Sequence, residues 1–103
     1  MSMETQNESS TNLDLEDEIK EPPMCKVILL NDDFTTKEFV VEILIKIFNK
    51  SSSVANELME TIHKTGSAIV GVFSYDIALT KSKIVMENAR RNGFPLRVEV
   101  EEL

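Results

Sequence analysis

Three places in this sequence carry side chains with chemistry to offer: the run Asn31-Asp32-Asp33, the single histidine His63 and the single cysteine Cys25. A cysteine, a histidine and an aspartate could form a thiol nucleophile with its base, provided that thiol and imidazole lie within hydrogen-bond reach. Cys25, however, precedes Asn31 by six residues in one extended run, and at roughly 3.3 Å per residue that separation argues against a triad with Asp32. Two aspartates and a distant histidine could hold a metal, but their spacing matches no metal motif. One cysteine also leaves no disulfide and no Cys/His zinc cluster. What remains is an amide, two carboxylates and an imidazole, a set suited to hydrogen bonding a ligand, so the residues favour a binding module over a catalyst. Each feature has a plainer reading as well: a solvated turn for Asn31-Asp32-Asp33, a half-buried packing residue for His63 and a small core hydrophobe for Cys25.

The elements that must position these residues follow from hydrophobic spacing. Met24 to Asn31 is short, apolar on both faces and rich in β-branched residues, which predicts a buried strand. Thr35 with Glu38 three residues on forms a capping box, and Phe39, Val40, Ile43, Leu44, Ile47 and Phe48 then recur at helical spacing. Ser51 is placed to cap a second helix with Val54, Ala55, Leu58, Met59 and Ile62 on its apolar face and His63 on the edge, and Gly66 stops it. Ala68 to Phe73 reads as a second strand. Ser74 opens a third helix through Ile77, Ala78, Ile84, Val85 and Ala89, with Arg90 and Arg91 at its C-terminal end, where cations suit the helix dipole. Leu96, Val98 and Val100 alternate with Arg97 and Glu99, the pattern of a strand with one buried face. The order β-α-α-β-α-β predicts an α+β fold, a small three-stranded antiparallel sheet with helices packed on one side.

The 103 residues are 42% hydrophobic and carry a net charge of -7, which suits one soluble domain and leaves no room for separate cofactor and substrate domains. Residues 1 to 21 hold seven acids against Lys20 alone, whereas the other 82 are close to neutral. Few apolar groups and mutually repelling charges predict disorder for this segment, so residues 1–23 read as an acidic extension and linker ending in Pro22 and Pro23, and 24–103 as the domain. Without a basic stripe, a phosphate-driven nucleic-acid surface is not expected. No apolar run approaches the roughly 20 residues of a membrane span, the N-terminus lacks a secretory pattern, and a fold without disulfides suits a reducing cytoplasm.

The blocks PPMCKVILLNDDFTTKEFV, LMETIHKTGSAIVGVF and GFPLRVEVE, in this order and spacing, resemble the ClpS family, non-enzymatic adaptors that deliver N-degron substrates to the Clp protease. The resemblance spans Pro22 to Glu101, and the acidic tail is similar to the family's variable extension. It implies that Asn31, Asp32 and His63 hold the α-amino group and first peptide unit of a substrate beginning with Leu, Phe, Tyr or Trp. Around the substrate's first side chain it places Leu29, Asp33, Thr35 and Val40, together with Met59, Ile62 and Leu96. Lys37 stands at the rim, where many bacterial members carry methionine. The resemblance also implies that Asp76, Thr80 and Lys81 touch the N-terminal domain of a Clp-family ATPase, with Leu79 where many relatives have glutamate. The expected chain is a monomer with no cofactor, and its charge and hydropathy predict no nucleic-acid or membrane partner.

Two alternatives stand beside this reading. A non-catalytic assembly module with the architecture of ribosomal stalk domains would have no need of Asn31, Asp32 and His63 together. A small thiol hydrolase would depend on Cys25.

Overall fold

The computed structural model describes residues 22–103, so most of the expected disordered extension lies outside the described residues. The element order is β1 (Met24–Leu30), α1 (Lys37–Lys46), α2 (Ser52–Thr65), β2 (Ser67–Ser74), α3 (Tyr75–Arg91) and β3 (Arg97–Glu102). The sheet runs β2-β1-β3 with both pairings antiparallel, which is the predicted α+β architecture. β1 is the central strand because Cys25, Val27 and Leu29 bury one of its faces almost completely against the helices. Its pairing with β2 shifts register between Val27 and Ile28, where Val70 stands as an extra residue between Gly71 and Ile69. Such a bulge increases local twist and bends the strand.

The core joins β1 to Phe39, Val40, Ile43 and Leu44 of α1, Ala55, Met59 and Ile62 of α2, and Ala78, Val85 and Ala89 of α3. Phe39 meets Phe94 edge-on, with ring centroids 5.0 Å apart, which ties the start of α1 to the loop before β3. Ser51 caps α2 by accepting from the Val54 N–H, and Gly66 ends it in the left-handed region at φ 102°, a conformation glycine adopts without the usual Cβ penalty.

Four local expectations need correction. On α2, Val54, expected on the apolar face, is exposed. The cap of α1 is Thr36, whose hydroxyl accepts from the Phe39 N–H at 3.1 Å, because the Thr35 hydroxyl is already committed to Asp32. Ser74 occupies the cap position of α3 but makes no side-chain capping bond. On α3, Ile77 and Ile84 are about half exposed, whereas Ser82 is buried. The inward stripe is Ala78, Ser82, Val85 and Ala89, stepping four, three and four residues, the phase that keeps small side chains against the sheet.

Candidate functional site

The end of β1 is clasped to the end of α2. The Asn31 N–H donates to the Gly66 carbonyl at 2.8 Å, extending the β1–β2 ladder one step beyond Leu30 and Ser67. Gly66 is the C-cap of α2 and His63 lies three residues before it, so this single bond brings the Asn31-Asp32-Asp33 run beside the imidazole. Between these two chain segments and the start of α1 lies a depression of about 300 Å³, lined by Asn31, Asp32, Asp33, Thr35, Lys37, Val40, Met59, Ile62 and His63. That is the low end of the size range of ligand pockets, enough for one large side chain and its attached amine.

The polar edge is pre-organised. Asp32 Oδ1 accepts from the Phe34 N–H at 2.8 Å and the Thr35 N–H at 2.7 Å, and the Thr35 hydroxyl donates to Oδ2 at 2.7 Å. This closed turn fixes the carboxylate before any ligand arrives. Partial desolvation works to raise the Asp32 pKa, but the Thr35 and Phe34 hydrogen bonds and the nearby Arg90 charge outweigh it and hold the group below the usual carboxylate range. An ionised carboxylate offers about four lone-pair sites, of which these bonds use three, so Oδ2 keeps one free for a further donor. Asn31 and His63 are exposed at the same edge. The apolar part of the lining is Val40, Met59 and Ile62, each at most 8% exposed.

Nine of the eleven residues expected at the amine site and side-chain pocket therefore line one depression. The other two, Leu29 and Leu96, are fully buried in the core and do not line it. Of the expected partner-facing residues on α3, Asp76 and Thr80 are exposed and one turn apart. Lys81 is half-buried and engaged internally: its ammonium donates to the Ile47 carbonyl at 2.8 Å and lies 5.2 Å from the Phe73 ring centroid and 5.9 Å from that of Phe48. It braces the end of α1 against β2. Cys25 is buried at the far end of β1 from Asn31. Among the described residues no cluster of three His, Cys, Asp or Glu could hold a metal ion, and no helix is long and apolar enough to cross a membrane.

Two contributions escape sequence reasoning. Arg90, read there only as a helix-end cation, donates to the Phe94 and Leu96 carbonyls at 2.7 and 3.2 Å while its charge acts on Asp32. Phe34, inside the Asp32 turn, is 74% exposed and shares a shallow surface with Arg90, Phe94 and Pro95. Neither has a sequence signal, because both depend on the loop before β3 folding back onto the Asp32 turn.

The α+β domain gathers hydrogen-bond acceptors along one edge of an apolar depression, and its cysteine is buried at the other end of β1. Residues 20–99 match the family described as ATP-dependent Clp protease adaptor protein ClpS. The chain is 46% identical over 101 residues to the Clp protease adapter protein ClpS of Treponema denticola, covering 98% of this chain and 100% of that one. With the ClpS of Campylobacter jejuni the identity is 50% over 84 residues, covering 82% and 88%. Among solved structures, Agrobacterium tumefaciens ClpS2 bound to L-phenylalaninamide superposes with a TM-score of 0.77 at 41% identity, covering 80% of this chain and 99% of that one. The chain belongs to the ClpS family of Clp protease adaptors and is not an enzyme.

Proposed function

We propose that the depression receives the N-terminal residue of a protein substrate, with preference for Leu, Phe, Tyr or Trp, and that the chain hands this substrate to the N-terminal domain of a Clp-family ATPase. The observation that carries the reading is the division of one pocket into two chemistries: Asn31, Asp32 and His63 at one edge and Val40, Met59 and Ile62 beneath. An α-ammonium has three donors and one positive charge, matched by an amide oxygen, an ionised carboxylate with a free lone pair and an imidazole nitrogen. A chain-internal residue has no such ammonium, so this edge selects chain ends. The apolar lining rewards a bulky first side chain. L-phenylalaninamide, the ligand of the Agrobacterium relative, combines these two features in one small molecule.

The energies suit a receptor that must release its cargo. Burying one large side chain is worth about 1.5 to 3 kcal/mol. Each charged hydrogen bond adds about 1.5 to 3 kcal/mol, and immobilisation takes back several. The resulting Kd is on the order of micromolar or somewhat tighter. Asp76 and Thr80, exposed on α3, form the ATPase-facing surface, with Lys81 holding the framework behind them. The extension of residues 1–23 serves delivery. Titrating peptides that differ only in their first residue tests the reading: Leu, Phe, Tyr and Trp should bind, and Gly, Ser and Asp should not. Equal affinity across the panel would overturn it.

A further inference from the structure

A second depression, of about 340 Å³, is lined by Lys37, Glu38, Val41, Asn56 and Met59. It shares Lys37 and Met59 with the first, so the two form one continuous groove between α1 and α2. We infer that this second depression is a subsite for the third residue of the same bound chain, and that it takes an apolar side chain. The inference rests on the proposed recognition of the chain's first residue.

The direction of the groove follows from helix geometry. His63, Met59 and Asn56 occupy successive turns along one stripe of α2, spanning roughly 10 Å at 1.5 Å per residue. On α1, Val40 lines the first depression and Val41 the second. A substrate whose amine is held at the His63 end therefore continues along α2 towards Asn56. In an extended strand, side chains one and three share a face and lie roughly 6.5 to 7 Å apart, while the second points to the opposite side. With the first side chain in the first depression, the third arrives over the second and the second residue's side chain faces solvent.

The lining sets the chemistry. Met59 is buried and Val41 half-buried, giving an apolar floor, while Lys37 and Glu38 are exposed at the mouth. Their adjacent opposite charges leave the rim without net charge, so it offers no ionic selection. Methionine adapts its shape to different occupants, which favours tolerance among aliphatic side chains over a single fixed choice.

The test uses the full chain and fluorescence anisotropy of peptides with phenylalanine first and alanine second. Leucine at the third position should bind about fivefold tighter than glycine there, an advantage sized for partial burial of one aliphatic side chain in an open groove. Val41→Thr keeps the shape and removes the apolarity, so the leucine advantage should shrink while the glycine peptide binds as before. Asn56→Asp gives up only the exposed bond from its amide to the Ser52 carbonyl and should give lysine at the third position a gain it lacks on the unaltered chain. Equal affinities for leucine and glycine at the third position, with both peptides binding well, would overturn the subsite and leave first-residue recognition standing. In a further peptide with leucine second and glycine third, a leucine advantage that moved to the second position would overturn the assignment of the groove to the third residue. If neither peptide bound, first-residue recognition itself would fall, and the subsite with it.

Discussion

Replacing Asp32 by asparagine separates the charge of the site from its scaffold. The substituted amide keeps a carbonyl oxygen where Oδ1 accepts from the Phe34 and Thr35 N–H groups at 2.8 and 2.7 Å, and its NH2 can donate to the Thr35 oxygen in place of the bond that hydroxyl now makes to Oδ2. The turn should therefore survive, and the stability cost should be below about 1 kcal/mol. What is lost is the ionised acceptor for the substrate ammonium. A charged hydrogen bond is worth about 1.5 to 3 kcal/mol, and the low end applies because this edge is open to solvent. At 1.4 kcal/mol per decade, peptide affinity should fall about tenfold. Asp32→Ala removes all three bonds that hold the turn and should add a stability loss of about 1 to 2 kcal/mol to an equal or larger loss of binding. Anisotropy titration of a phenylalanine-initiated peptide, with urea unfolding of each variant, reads both quantities. A pH series reads the contribution of the ionised carboxylate. The folded pKa of Asp32 lies below that of an unfolded aspartate. Its ionised form thus contributes stability that is complete above pH ~4 and is lost as pH falls through the lower folded value. The stability gap between the unaltered chain and Asp32→Asn should accordingly close only in strong acid. Unchanged peptide affinity in Asp32→Asn would refute the carboxylate as the amine's anchor.

Three further outcomes are expected. Removing the imidazole acceptor with His63→Ala should weaken binding of a phenylalanine-initiated peptide about tenfold at neutral pH, the equivalent of one charged hydrogen bond. Unchanged affinity in His63→Ala would remove His63 from the site. Ser82 is buried with no hydrogen-bond partner for its hydroxyl among the described residues, so Ser82→Ala should stabilise the domain by about 1 kcal/mol and raise Tm by about 4 to 8 °C in a thermal melt; a lower Tm would show that the hydroxyl has a partner. A chain beginning at Glu21 keeps every described pocket residue and should bind peptides unchanged while failing to accelerate degradation of a folded substrate by the cognate protease. Full delivery by the shortened chain would show that the extension is dispensable.

The sheet and two of the helices could be read directly from spacing. The doubly apolar run from Met24 identifies the central strand, and Ser51 and Gly66 bracket α2 because each supplies a specific terminal chemistry, a hydroxyl acceptor and a left-handed φ. The errors arise where neighbouring residues compete for one role. Thr35 and Thr36 are equivalent as sequence, and only the folded turn shows that Asp32 has taken the first, leaving the second to cap α1. On α3, large isoleucines suggest a face that the helix does not bury, since the phase is set by Ala78, Ser82, Val85 and Ala89 fitting closely against the sheet. Lys81 illustrates the long-range case: its attachment to Ile47, 34 residues earlier, has no local signature. The candidate site was more legible than these details. Its polar residues sit near element ends, and the clasp between Asn31 and Gly66 brings those ends together.

The central claim is that the pocket reads a free chain terminus. The most direct measurement compares one phenylalanine-initiated peptide with its N-acetylated counterpart, titrated against the full chain at neutral pH. Acetylation keeps the side chain and every downstream residue while removing the charge and two of the three ammonium donors. The account predicts that affinity falls at least tenfold, the equivalent of losing one charged hydrogen bond. Equal binding of the two peptides would contradict it and reduce Asn31, Asp32 and His63 to the edge of an ordinary apolar pocket.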